Sequence, residues 1–126
     1  MSTGSTESPS IEHLDWGNAL RGVNGDFQLL QELVQIFLDE VPKWLDQLRR
    51  AIAAGDRDAA RRTAHTVKGA VSQLSMTVAK DLAQQIENFC RDDQFDTAKT
   101  LYQNFETELA ALRPHQLRYI ESTRSR

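Results

Sequence analysis

The stretch DAARRTAHTVKGAVSQL, residues 58–74, decides how this chain folds. Laid on a helical wheel at about 100° per residue, Ala60, Ala64, Val67, Val71 and Leu74 gather on one side. Such a stripe is the inward face of an amphipathic helix. His65 points the opposite way, and within about 60° of it lie Arg61, Arg62, Lys68, Gly69 and Ser72. A lone histidine is ordinarily a satisfied core residue, but here it stands across from the apolar stripe. Lys68 and Gly69 follow it by three and four positions, which are neighbouring sites on a helix, with Cβ atoms about 5–6 Å apart. An anion bonded to the imidazole therefore falls within reach of the Lys68 ammonium. Gly69 costs a helix interior up to about 1 kcal/mol relative to alanine. That cost makes sense where another protein or a bulky group must come close.

Apolar residues spaced by three and four continue on both sides of this helix, and no segment alternates with the period of a half-buried strand. The pattern predicts a short helix over about 15–22, closing near Gly22 and Gly25, and a second one capped by Asp26 with Phe27, Leu30, Leu33, Val34, Phe37, Leu38 and Val41 inward. Pro42 suits the first turn of a third, with Gly55 as its stop. Asp56 caps the central helix and Thr77 the next, which carries Val78, Leu82, Ile86, Phe89 and Cys90. A last helix spans about 94–112, and Pro114 ends the regular pattern. Short connections make neighbours antiparallel. The expected fold is all-α, an antiparallel up-down four-helix bundle with an additional short N-terminal helix. It comprises a disordered leader over 1–10, the bundle over 11–113 and a C-terminal tail over 114–126 that is dispensable for the core.

Composition narrows the function. The 126 residues suit one domain with a single core. A net charge of −3 disfavours nucleic-acid binding, which calls for a basic surplus. The single cysteine cannot form an internal disulfide, and no Cys/His cluster has metal-ligand spacing. No apolar run approaches the roughly 20 residues of a membrane span, and MSTGSTESPS lacks the regions of a secretory signal. A cytoplasmic location and no membrane partner are expected.

AHTVKG, followed by Leu74, resembles the histidine-containing phosphotransfer (HPt) domains of multistep phosphorelays. Their signature is His-x-x-Lys-Gly with a hydrophobic residue five positions after the glycine. The flanks agree, since FLDEVPKWLDQLRRAIAAGDRDAARRTAHTVKG looks like the family's two central helices joined at a Gly-Asp turn, and the likeness covers about residues 15–112. The resemblance implies that His65 accepts the phosphoryl group, Lys68 steadies its oxygens, and Gly69 leaves room for the docking receiver domain. It also implies a polar residue on the following helix that holds the other ring nitrogen, either Glu87 or Gln84. Connectivity points the same way: His65 lies about ten residues before the turn near Ser75 and Glu87 about twelve after it, level in antiparallel helices. The chain departs from the pattern at Ala70, where a small polar residue is common, and at Ser75, where glycine is common.

Phosphoryl transfer asks mainly for alignment and charge stabilisation. His65 is the nucleophile, and Lys68, Arg61 and Arg62 favour the attached dianion, while Arg61, Arg62 and Ser72 also face the partner. No P-loop, Gly-rich nucleotide motif or acidic Mg²⁺ pocket is present in the sequence. The expectation is a monomeric phosphocarrier without cofactor or intrinsic kinase activity. A receiver domain supplies the aspartate and the Mg²⁺, a hybrid sensor histidine kinase is the upstream donor, and a response-regulator receiver is the next acceptor. The alternative is a non-phosphorylated helical module that binds a receiver or sensor kinase. A hydrolase finds no support, since no nucleophile is spaced to use His65 as base and no HExxH motif occurs.

Overall fold

The computed structural model describes residues 13–124. Five helices follow one another among them: α1 (Trp16–Gly22), α2 (Phe27–Ala54), α3 (Arg57–Gln73), α4 (Thr77–Arg91) and α5 (Phe95–Arg124). The last four close a ring in which α2 packs on α3, α3 on α4, α4 on α5, and α5 back on α2. With short turns between them, this is an antiparallel up-down bundle, and α1 lies against α2 as the extra short helix. The expected fold class holds. The expected leader, 1–10, falls outside the described residues.

Local chemistry sets the ends of the helices. Asp15, Asp26 and Asp56 cap α1, α2 and α3 by accepting from the backbone N–H groups of Asn18, Leu29 and Ala59 at 2.9, 3.0 and 3.2 Å. Gly55 closes α2 at φ 66°, a left-handed conformation that is cheap only for glycine. Ser75 takes φ 56° between α3 and α4, although a non-glycine residue there costs about 1–2 kcal/mol. Two bonds hold it. Its hydroxyl accepts from Asn18 Nδ2 at 2.8 Å, and its carbonyl accepts from the Asp15 N–H at 3.0 Å. Thus α1 is pinned to the α3–α4 turn, and these two bonds hold the serine in its left-handed conformation.

Three expectations need correction. Pro42 does not start a helix; it sits inside α2. The apolar phase of Leu38, Val41 and Leu48 runs through it unbroken, and their burial outweighs the roughly 3 kcal/mol that an interior proline costs. Pro114 likewise lies within α5, which continues to Arg124. Phe105, Leu109, Leu112, Gln116, Ile120 and Thr123 are all buried at steps of three and four, so the inward face extends past the proline. Residues 114–124 are therefore core structure: Tyr119 stacks on Trp16 with ring centroids 4.5 Å apart. Thr77 is not a cap either, since the N-cap position of α4 falls on Met76, with no side-chain bond.

Candidate functional site

The inward face of α3 is as its periodicity requires, with Ala60, Ala64, Val67 and Val71 at 0% exposure. That fixes His65 on the outer wall, its side chain 68% exposed. The packing of α3 on α4 then brings Glu87 level with it, and the histidine Nδ1 lies 3.4 Å from Glu87 Oε2. This is an ion-pair distance, longer than a well-formed hydrogen bond. Among the described residues no bond is seen to Nε2, the nitrogen on the other edge of the ring.

Lys68 differs from its expected setting. It is only 21% exposed, and its ammonium donates to Gln84 Oε1 at 2.9 Å and to Glu87 Oε1 at 3.0 Å. Of the two residues offered for holding the imidazole, Glu87 faces the ring, and Gln84 serves Lys68 instead. Gln84 also donates to Asn88 Oδ1 at 2.9 Å, one turn further along α4. The whole chain runs Asn88, Gln84, Lys68, Glu87, His65. Asn88 escaped the sequence reading, although its i+4 spacing from Gln84 is the pattern that could have revealed it.

Gly69 is exposed, and a Cβ built on it would meet nothing within 4 Å. Close helix packing therefore does not explain the glycine. Arg61 and Arg62 line a shallow depression with Asp58, Thr66, Glu87 and His65 itself. Ser72 stands apart, in a smaller crevice with Asn18, Ser75 and Lys80 where α1 meets the α3–α4 turn. The site thus assembles His65, Lys68, Glu87, Gln84, Arg61 and Arg62, with Gly69 beside them, and leaves Ser72 out. Among the described residues, no group of three or more His, Cys, Asp or Glu is placed to hold a metal ion, and no helix is long and apolar enough to cross a membrane.

Comparisons with known proteins agree on the kind of chain this is. The family model described as Hpt domain matches residues 32–115. The sensor protein EvgS of Escherichia coli (strain K12) is 29% identical over 80 residues, which are 64% of this chain and 7% of that protein. The chain thus spans only a small part of that curated relative. Among solved structures, histidine-containing phosphotransfer protein B of Pseudomonas aeruginosa PAO1 superposes with a TM-score of 0.81 at 24% identity, covering 87% of this chain and 96% of that one. The HPT domain of a sensor hybrid histidine kinase from Shewanella gives 0.78 at 18% identity, covering 89% and 97%.

Proposed function

The chain belongs to the Hpt domain family, the phosphorelay intermediates of multistep signalling, and from that membership we propose that His65 is its phosphoacceptor. The group comes from the aspartate of a receiver domain and passes to the receiver of another response regulator. The observation that carries this reading is an imidazole 68% exposed on a helix wall, with one nitrogen turned to a carboxylate.

The chemistry follows from that orientation. With its proton on Nδ1, facing Glu87, the ring presents the Nε2 lone pair to solvent. Attack by Nε2 on the phosphorus forms a P–N bond while the P–O bond to the receiver aspartate breaks, returning a carboxylate. No proton leaves; the ring keeps Nδ1–H and becomes a phosphoimidazolium, whose positive charge the Glu87 carboxylate offsets. Onward transfer runs the same step backwards to a second aspartate. Because the leaving group is then a neutral imidazole, the phosphoryl group remains transferable. The Mg²⁺ that such a transfer uses is assigned to the receiver domain, whose aspartate it accompanies. A hybrid sensor histidine kinase is the proposed upstream source, and the chain acts as a carrier without kinase activity of its own.

The open space over Gly69 lets a partner approach the ring. Incubation with a phosphorylated receiver domain tests the proposal. Acid-labile label appears on the wild type and not on His65→Gln, and none appears from ATP alone. Absence of label on both proteins would leave only a non-phosphorylated interaction module.

A further inference from the structure

A monomer is the expectation from sequence, but one edge of α5 has the pattern of a surface that fits its own copy. Exposed positions recur there from Asp96 to Arg124 at steps of three and four, through Lys99, Ala110, Leu117 and Glu121. At about 100° per residue they fall in one band roughly 80° wide and about 40 Å long. Asp96 and Lys99 line a groove with Arg49 and Ile52 of α2, which puts this band on the α2–α5 wall. In the ring of helices that wall lies across the bundle from α3 and α4, and so from His65.

The charges in the band are not used inside the chain. On α2, Glu40 pairs with Lys43 at 3.1 Å and Asp46 with Arg49 at 2.6 Å, each pair three positions apart. Asp96 and Lys99 have the same spacing, and Arg124 follows Glu121 by three. Yet among the described residues Asp96, Lys99 and Arg124 make no ion pair.

Their order is two-fold about Ala110. Asp96 and Arg124 stand fourteen positions either side of it, Lys99 and Glu121 eleven, Gln103 and Leu117 seven. Each pair also sits at equal and opposite angles about Ala110, as residues facing one another across antiparallel helices must. A half-turn through Ala110 therefore sets acid against base at both ends of the band, and each ion pair is made twice. Leu117, 42% exposed, is laid on the aliphatic stem of Gln103. The methyl group of Ala110 at the axis lets the two backbones approach.

We propose that this edge of α5 docks a second copy of the chain, antiparallel about a two-fold axis at Ala110. Such a contact closes on itself and stops at a dimer. Exposed ion pairs contribute little and are screened by salt, so the dimer is weak and salt-sensitive. It leaves the α3–α4 wall of both copies open, and it does not depend on the role of His65.

Sedimentation of the full chain reads the association. The wild type passes from monomer to dimer with a Kd on the order of 100 µM at low salt, weakened about tenfold or more at about 1 M salt. Asp96→Arg/Lys99→Glu and Glu121→Lys/Arg124→Glu each set like charges face to face, so each variant alone stays monomeric. Mixed in equal amounts, the two associate about as tightly as wild type, because every facing pair is again opposite in sign. Ala110→Arg, which opposes two cations at the axis, breaks the dimer independently. Circular dichroism confirms that each variant is folded. A wild type that stays monomeric up to about 1 mM overturns the proposal. So does a dimer that the variants retain, or a mixture that fails to associate.

Discussion

The Nδ1 atom of His65 and the Oε2 atom of Glu87 lie 3.4 Å apart across the α3–α4 interface, and the same carboxylate bonds Lys68 through its other oxygen. The carboxylate that faces the His65 ring thus comes from a neighbouring helix and not from its own. Glu87→Ala should slow acceptance of phosphoryl from a receiver roughly ten- to a hundredfold, the scale of loss when a reacting group is misplaced by about an ångström. Glu87→Gln, which keeps an acceptor oxygen, should recover part of the rate. Single-turnover transfer measures both; an unchanged rate in Glu87→Ala would mean the ring needs no orienting carboxylate.

Gly69 gives a prediction with opposite signs for stability and function. A methyl group there meets nothing within 4 Å inside the protein, so Gly69→Ala should raise unfolding free energy by up to about 1 kcal/mol. If a receiver docks over Gly69 as proposed, the same methyl group stands in its way, so transfer should slow. Denaturant unfolding and transfer kinetics on one preparation test the pair. A variant both more stable and equally fast would remove the access role.

The end of α5 should matter to the fold. A chain ending at Arg113 loses Ile120, 4% exposed, together with buried Gln116 and the Tyr119 stack on Trp16. Burial of one large aliphatic side chain and one aromatic pair suggests a loss on the order of 3 kcal/mol. Urea titration should show the midpoint falling accordingly. If it does not move, residues 114–124 contribute nothing to the core.

Cys90 supplies a pH prediction. It is wholly buried, and burial raises its thiol from the ordinary 9.0 to about 11. The folded thiol therefore keeps its proton at pH values where the unfolded one has lost it. Its contribution to stability is complete below pH 9 and fades as pH climbs from 9 toward 11. Cys90→Ser or Cys90→Ala should flatten that alkaline decline. At pH 8 the native thiol should resist iodoacetamide and react once urea unfolds the chain.

Much of this site is written in one helix. Ala60, Ala64, Val67 and Val71 repeat at helical spacing, and that alone turns His65 outward. Counting residues either side of Ser75 was enough to bring Glu87 opposite it. What the sequence hides depends on contacts between helices. Lys68 reads as an exposed cation because its bonds go to Gln84 and Glu87, sixteen and nineteen positions away. Pro42 and Pro114 read as helix boundaries because proline is a strong local signal, and only the buried phase on both sides shows that packing overrides it. Met76 carries no local message, yet it is fully buried, with Gln116 Nε2 3.4 Å from its sulfur.

Glu87 and Lys68 are mostly covered, whereas Gly69, Arg61 and Arg62 are exposed on the same wall. If the proposed carrier role holds, substitutions in the covered pair should act first on the rate at which the ring reacts, and substitutions at the exposed positions first on how a partner docks.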